Sequence, residues 1–377
     1  MRGMIRIWAA PIRRWSIALV GSAIIATTAI ALAEIALRLV WPQDVRRLEG
    51  VGGALGVADP ELGRILQPRQ KTVVKGPEFS VEYVTDNRGF RMNPEAAIAP
   101  SDVRRILLIG DSFTFGVGND YPDTWGARLE TILRERECPV AVTNAGVPGY
   151  DTRQEVGLLS RWIDELEPYL VILTFLPNDL FVIDSGGAAE GQGPVAPKDS
   201  RLAGLADLQV VTALKRLLLQ SDSLYLRLYQ LTARLKYFES PMPTSVRRKL
   251  ETVQKSLLEA ASVCKQRNTK LIVASLPQQF QVILRGREDR IDGIDPSVID
   301  RELGIFADAN GLVWLPVLEP FSEEYSRARD DLYYRLDGHL TPRGNLLFAE
   351  LMAEEIMRTV KCGGVSAGLL GEPFKPE

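Results

Sequence analysis

The residues best suited to proton transfer and nucleophilic attack are one histidine and one serine. His339 is the only histidine among 377 residues, and histidine is the side chain whose ordinary pKa allows proton exchange near neutral pH. Ser112 follows the apolar run 106–109 within Gly-Asp-Ser-Phe, as a serine on a turn between a strand and a helix would. Asp337 stands two residues before His339. Together these residue types can activate a serine hydroxyl as a nucleophile.

His339 also has a purely structural interpretation. It precedes Thr341 and Pro342, a pair typical of the first residues of a helix, so it could belong to the loop that caps this helix. His339 alone does not distinguish a capping role from a catalytic one, so the other motifs in the sequence are needed.

Strands and helices alternate from residue 104 onward. Short apolar runs typical of strands buried on both faces occur at Ile106–Ile109, Val140–Thr143, Leu170–Thr174, Leu271–Ala274 and Leu312–Leu315. Helical patterns occur at Trp125–Arg136, Arg153–Leu166, Val246–Arg267, Pro296–Asn310 and Pro342–Val360. This alternation predicts a three-layer α/β/α fold with a doubly wound parallel sheet. Ligands of such sheets bind beyond the carboxyl ends of the strands, where Ser112, residues 144–149 and Asn178 are expected.

Four segments resemble the sequence blocks of the SGNH (GDSL-type) hydrolase superfamily, in the family's order. They are residues 110–116 (Gly-Asp-Ser-Phe-Thr-Phe-Gly), 144–150 (Asn-Ala-Gly-Val-Pro-Gly-Tyr), 177–179 (Pro-Asn-Asp) and 337–339 (Asp-Gly-His). The resemblance implies Ser112 as nucleophile with His339 and Asp337 completing a catalytic triad. It implies an oxyanion hole formed by Ser112, Gly149 and Asn178. It also implies the family's flavodoxin-like strand order.

Two positions depart from the family's usual pattern. Leu176 stands two residues before Asn178, where the family commonly has glycine, and Asp337 is two rather than three residues before His339. Asn178, like Asn144, would also suit an ordinary turn. Because all four blocks occur in order, the catalytic interpretation is favoured over the structural one.

The N-terminal segment is long and apolar enough to span a membrane. Residues 16–33 carry no charge, and the apolar pattern continues to residue 41; about 20 such residues cross a bilayer as a helix. Basic residues and no acidic ones precede it, which favours a cytoplasmic N-terminus, residues 1–15, and an exported remainder. Residues 31–33 (Ala-Leu-Ala) also fit the cleavage site of a signal peptide. Cleavage therefore stays open, although we favour an uncleaved signal-anchor at 16–41.

The rest of the chain divides into three predicted parts. Residues 42–102 are predicted as a linker and a β-rich lead-in, residues 103–362 as the catalytic domain, and residues 363–377 as a flexible C-terminal tail. Within the domain, residues 185–243 interrupt the alternation with an amphipathic helical insertion. We interpret this insertion as a helical cap, and a lid or a membrane-facing surface is the alternative.

The composition argues against several other classes of protein. Acidic and basic residues are mixed along the chain, with a net charge of −3, which is unlike a nucleic-acid-binding protein. One histidine and three widely spaced cysteines argue against a zinc site or a redox motif. Cys138 follows the first helix of the domain and Cys362 ends the last. These two could form a disulfide in an exported protein, and three unpaired thiols are the alternative.

These observations predict a single-pass protein of a bacterial inner membrane with its enzymatic domain on the periplasmic side. The expected activity is that of a serine esterase or acyltransferase, working through an acyl-enzyme on Ser112. The expected substrate is an acylated carbohydrate or small ester, above all an O-acetyl ester of an envelope glycan or related metabolite. A lipase or thioesterase, and a non-catalytic glycan-binding or scaffold protein that kept the fold, are the alternatives. No cofactor, metal or nucleic acid is expected, and the sequence identifies no protein partner.

Overall fold

The computed structural model describes residues 6–40, 51–76, 78–93, 103–183, 208–328 and 332–359. The chain forms two units. The smaller unit combines Met1–Arg47 with Ala196–Ser221, and the larger combines Leu48–Val195 with Asp222–Glu377. All the predicted site residues belong to the larger unit.

The strands of the larger unit form two antiparallel hairpins and one parallel sheet. The hairpins are β1 (Gly56–Asp59) with β2 (Gly63–Leu66), and β3 (Lys71–Lys75) with β4 (Ser80–Val84). The sheet contains β5 (Arg104–Ile109), β6 (Val140–Asn144), β7 (Leu170–Phe175), β8 (Lys270–Ser275) and β9 (Val313–Pro316). Its spatial order is β6-β5-β7-β8-β9, and every neighbouring pair is parallel. This order confirms the predicted doubly wound sheet with flavodoxin-like topology.

Helices cover both faces of the sheet. Among the described residues, the smaller unit contains the helices α1 (Arg6–Val40) and α7 (Gln209–Leu219). The larger unit contains α2 (Val51–Leu55), α3 (Ser112–Phe115), α4 (Trp125–Glu135), α5 (Thr152–Leu166), α6 (Asp179–Val182), α8 (Asp222–Gln230), α9 (Thr244–Gln266), α10 (Gln279–Gly286), α11 (Val298–Asn310), α12 (Leu318–Ala328) and α13 (Pro342–Thr359). Helix α4 packs against α13, and α5 packs against α9. The three-layer arrangement explains why every residue of β7 is buried, since a strand with helices on both sides has no solvent face.

The strand register brings the predicted site segments to one edge of the sheet. Leu108 of β5 pairs with Asn144 of β6, and Ile109 pairs with Leu173 of β7. The carboxyl ends of these three strands therefore lie side by side, and each continues into a segment that carries a predicted site residue. Ser112 follows β5, Gly149 follows β6 and Asn178 follows β7.

The smaller unit contains the apolar N-terminal helix. Within α1, the 22 residues Leu19–Val40 are long and apolar enough to cross a membrane, and almost all of this stretch is exposed. Helix α7 packs against α1. The carboxylate of Glu34 in α1 accepts the backbone N–H groups of Gln209 and Val210 at 3.0 Å each, so it satisfies two donors at the N-terminus of α7 that have no partner within that helix.

The predicted helical insertion thus belongs to two units. Helix α7 belongs to the α1 unit, whereas the chain from Asp222 onward belongs to the larger one. The segment 184–207, which holds the Gly/Pro-rich start of the insertion, lies outside the described residues, as does the predicted C-terminal tail. The boundaries of 185–243 stay a prediction.

Two of the three cysteines lie in the described part of the chain. Cys138 is disulfide-bonded, and Cys264 is free and buried. Cys362, the partner predicted for Cys138, lies outside the described residues. The first and last helices of the domain do share one face, since the rings of Trp125 in α4 and Phe348 in α13 meet edge to face at 4.9 Å between centroids.

Candidate active site

The turn between β5 and α3 holds Ser112 in a fixed position. Asp111 caps α3, because its Oδ1 accepts the backbone N–H of Phe113 at 2.9 Å. Gly110 is required by close packing, since a Cβ there would lie 2.1 Å from the hydroxyl oxygens of Thr114 and Thr174. Ser112 therefore stands at the first position of a short helix, directly after a buried strand.

Ser112, His339 and Asp337 form one hydrogen-bonded chain. The Nε2 atom of His339 lies 2.7 Å from Oγ of Ser112, and its Nδ1 atom lies 2.5 Å from Oδ1 of Asp337. Ser112 is 7% exposed and His339 8% exposed, so little water competes for these contacts. The ring of Phe113 packs on the imidazole at 4.9 Å between centroids. This is the geometry in which an imidazole takes a proton from a serine hydroxyl.

The short spacing between Asp337 and His339 is made possible by a glycine. Gly338 has a φ of +89°, a left-handed conformation that glycine adopts without strain. This conformation lets the chain reverse within one residue, so that the two flanking side chains meet. The backbone N–H of His339 also donates to Asp337 Oδ1 at 3.3 Å. The sequence departure at this block therefore leaves the contact intact.

The candidate oxyanion donors come from three separate turns. The backbone N–H groups of Ser112 and Gly149 donate to no residue that the structure describes. The block that contains Gly149 is tied to the nucleophile turn, because the N–H of Val147 donates to the carbonyl of Gly110 at 2.9 Å. Gly149 has a φ of +83°, and a Cβ there would lie 2.7 Å from the guanidinium of Arg64. Glycine is thus needed at this turn for its conformation and for space.

The amide of Asn178 is oriented by Asp111. Its Nδ2 donates to Oδ2 of Asp111 at 2.8 Å, which leaves the second N–H of the same group for a ligand. Leu176, at the position where the family commonly has glycine, is fully buried. Its carbonyl accepts the N–H of Asp179 at 3.0 Å, so the turn that presents Asn178 forms with leucine there.

Neighbouring charges shift the pKa of the His339 imidazole. Burial lowers the pKa of His339, but the charge and hydrogen bond of Asp337 and the charge of Asp111 together raise it above its ordinary value. Burial also raises the pKa of Asp111, against the hydrogen bond from Asn178. A raised pKa makes an imidazole a stronger base.

Two further carboxyl groups are buried behind the site. Asp179 and Glu155 are both fully buried. Oδ2 of Asp179 accepts the hydroxyl of Thr152 at 2.6 Å, whereas neither carboxyl oxygen of Glu155 has a hydrogen-bond partner among the described residues. Burial raises the pKa of both groups, and the charges of neighbouring carboxylates raise them further. These groups contact neither Ser112 nor His339 through a hydrogen bond in the described part of the chain.

The sequence also matches the pattern of a known family. The pattern of the GDSL-like lipase/acylhydrolase family covers residues 108–347, which is more than half of the chain. The chain belongs to the GDSL-like lipase/acylhydrolase family. As a member of this family it is a serine ester hydrolase by class, and the resemblance inferred from the four sequence blocks is confirmed.

Solved structures that this chain resembles include a lipase/acylhydrolase and two acetyl xylan esterases. A lipase/acylhydrolase from Enterococcus faecalis is 15% identical, with a TM-score of 0.40, and the match covers 70% of this chain and 100% of that one. The acetyl xylan esterase AlAXEase is 13% identical, with a TM-score of 0.43 and coverage of 67% and 99%. A catalytic mutant of Axe2, an acetylxylan esterase from Geobacillus stearothermophilus, is 15% identical, with a TM-score of 0.41 and coverage of 69% and 96%. No curated protein matches the sequence.

In this GDSL-like protein, the loop after the nucleophile is held by residues that the sequence motifs did not indicate. The guanidinium of Arg91 is buried and donates to the carbonyls of Phe115 and Gly116 at 2.7 Å each. It also lies over the rings of Tyr83 and Phe115. The hydroxyl of Tyr83 in turn accepts the N–H of Gly118 at 2.9 Å. Tyr83 and Arg91 both lie before residue 108, where the match to the family begins. No sequence motif marks an isolated arginine there as a donor to backbone carbonyls.

Proposed function

We propose that this protein is a membrane-anchored serine esterase or acyltransferase that removes or transfers O-acyl groups, principally O-acetyl, on an envelope glycan or related metabolite. The distance of 2.7 Å between Ser112 Oγ and His339 Nε2 is the observation that carries the catalytic part of this proposal. The family supplies the ester chemistry. The proposed location of the domain outside the cytoplasm favours an envelope glycan as the substrate.

In the proposed reaction, His339 accepts the hydroxyl proton of Ser112 as Oγ attacks the ester carbonyl carbon. The resulting oxyanion is bound by the N–H groups of Ser112 and Gly149 and by the amide of Asn178. When the tetrahedral intermediate collapses, His339 gives its proton to the leaving alcohol and the acyl group remains on Ser112. Water then attacks the acyl-enzyme to give hydrolysis, or a sugar hydroxyl attacks it to give acyl transfer.

Asp337 and Asp111 act on this reaction through other groups. The Asp337 carboxylate holds Nδ1 of His339 protonated, so that Nε2 is free to act as the base, and it stabilises the imidazolium that forms. Asp111 accepts one N–H of Asn178, and this contact aims the other N–H toward the oxyanion. Neither aspartate exchanges a proton with the substrate in this scheme.

The anchor part of the proposal rests on α1. A cleaved signal peptide is discarded, whereas α1 packs against α7 in a later part of the chain, and this contact favours retention of the helix. The basic residues that precede the span favour a cytoplasmic N-terminus and hence a catalytic domain on the periplasmic side of the inner membrane.

The proposal is tested with a panel of esters. The full chain is assayed in detergent against acetylated sugars, longer acyl esters and thioesters, with and without an acceptor glycan. We expect hydrolysis of acetyl esters that disappears in Ser112→Ala and persists in Ser160→Ala, which alters an exposed serine on α5. If an ester is cleaved only when the acceptor glycan is present, the reaction is acyl transfer. A preference for long acyl chains or thioesters would contradict the proposed substrate class, and activity that survives Ser112→Ala would contradict the mechanism.

A further inference from the structure

The lead-in, which we define as Val51–Asn93, contributes a carboxylate to the loop that carries Asp337. Glu78 lies between β3 and β4, well before the region that matches the family. Its Oε1 accepts the N–H of Arg335 at 2.9 Å, and its Oε2 accepts the N–H groups of Leu336 and Asp337 at 2.8 and 3.0 Å. Three successive amides thus converge on one side chain.

We infer that Glu78 is a positioning residue for the acid–base pair: its carboxylate holds the backbone of Asp337 so that the Asp337 side chain meets Nδ1 of His339. This inference rests on the proposed function of the same site. A carboxylate that accepts several backbone N–H groups makes strong, charge-assisted hydrogen bonds. Without it, three consecutive donors would lack their partner, and the turn would be free to move the Asp337 side chain away from the imidazole.

Aromatic packing fixes the same turn from the side of the lead-in. The ring of Phe79, next to Glu78, lies 5.6 Å from the ring of Tyr334. The hydroxyl of Tyr334 donates to the carbonyl of Gly118 at 2.9 Å, and the carbonyl of His339 accepts the N–H of Tyr334 at 2.8 Å. The turn therefore lies between the lead-in and the loop that follows the nucleophile.

Opposing effects act on the carboxylate of Glu78. Burial raises the pKa of Glu78, whereas the three N–H donors favour its charged form and the Asp337 carboxylate opposes it. The guanidinium of Arg335, next in the chain to these amides, pairs with Asp222 at 2.8 Å. Glu78 therefore acts on His339 through the position of Asp337, whose backbone N–H it accepts.

The lead-in has other attachments that keep it in place without Glu78. Arg161 of α5 forms two hydrogen bonds of 2.9 Å with the carboxylate of Asp59 in β1. Arg88 pairs with Glu165 of α5 at 2.8 Å. A change at Glu78 is thus expected to alter the turn at Asp337 while the lead-in stays docked.

The test compares Glu78→Gln and Glu78→Ala with the control Glu82→Gln in the full chain. Glu82 lies on β4 and is exposed, where it pairs with Lys71, so this control makes the same charge change away from the site. We expect kcat on an acetyl ester to fall about tenfold in Glu78→Gln, as for the loss of a charge-assisted hydrogen bond, and further in Glu78→Ala. KM is expected to change little, and the control is expected to match the wild type.

A second readout does not depend on activity. Since His339 is the only histidine, its titration can be followed by NMR in a tag-free, histidine-labelled chain. We expect the pKa of His339 to fall in Glu78→Gln and to fall further in Asp337→Asn, with no change in the control. A folded Glu78→Gln variant with unchanged His339 titration would overturn the inference, whatever its activity. An inactive wild type whose His339 titration still depends on Glu78 would instead contradict only the proposed function.

Discussion

The proposed catalytic arrangement depends on contacts between single side chains from distant parts of the chain. The motif blocks indicated Ser112, His339 and Asp337, and the structure brings these three side chains into one hydrogen-bonded chain. The contact between Asp111 and Asn178 was not predictable, because the two residues are 67 positions apart and a local pattern contains no information about such pairing. Glu78 escaped prediction for the same reason.

The Asp337→Asn variant tests the tautomer and charge assigned to the imidazole. Since Asp337 raises the pKa of His339 against the lowering effect of burial, its replacement is expected to lower that pKa. The active form of the base is neutral, so activity is lost as pH falls through this pKa. The acidic limb of the kcat/KM profile is therefore expected to move to lower pH, while kcat falls by roughly 10²–10⁴-fold. An unchanged limb would contradict the pairing.

Among the structural elements, the strands of the parallel sheet were predictable from the sequence, whereas the attachment of the lead-in to the active site was not. Strands β5, β7 and β8 coincide with apolar runs in the sequence because helices cover both faces, and burial of this kind leaves a continuous hydrophobic signature. The same argument placed Ser112 and Asn178 beyond the strand ends. The attachment of the lead-in to the site had no such signature, since it consists of single side chains such as Arg91 that reach across to backbone carbonyls.

Helix α5 carries a carboxyl group that costs stability at neutral pH. Burial raises the pKa of Glu155, and the charges of Asp179 and Asp111 raise it further. The native state then binds a proton that the unfolded chain releases, so the free energy of unfolding falls as pH rises from the unfolded pKa, about 4.3, through the raised native pKa. We expect Glu155→Gln to raise the free energy of unfolding at neutral pH by about 1–3 kcal/mol, and to lose this advantage at low pH.

Thermal unfolding measured between acidic and weakly basic pH checks this prediction. The matched control is Glu165→Gln on the same helix, where the exposed carboxylate pairs with Arg88 and the change is expected to be within about 1 kcal/mol. A Tm of Glu155→Gln that equals the wild type at neutral pH, or a gain that does not depend on pH, would contradict the account of this buried carboxyl group.

At the scale of the whole molecule, the chain combines an apolar helical unit with an ester-hydrolase domain. Composition and hydropathy indicated both units, because the length of an apolar segment and the order of strand-like runs are properties of the sequence alone. The pairing of α7 with α1 was not predictable, since it depends on the contact of Glu34 with the N-terminus of a helix far along the chain.

The anchor is tested by fractionation of cells that express the full chain. We expect the protein to stay with the membrane during an alkaline carbonate wash, to keep its N-terminus through residue 33, and to be digested by protease added outside spheroplasts. Arginine at the exposed positions Ile25 and Ile30 is expected to weaken insertion, at about 2.5–3.5 kcal/mol per residue near the centre of the span. A soluble product that begins at Glu34 would instead show cleavage of a signal peptide.

Covalent labelling by a fluorophosphonate, with the labelled residue mapped by peptide mass spectrometry, tests directly whether Ser112 is the nucleophile. We expect one adduct on Ser112, which is absent in Ser112→Ala, forms much more slowly in His339→Ala and is unchanged in Ser160→Ala. No adduct on the folded wild type, or an adduct on another serine that persists in Ser112→Ala, would contradict the assignment of Ser112 as the nucleophile.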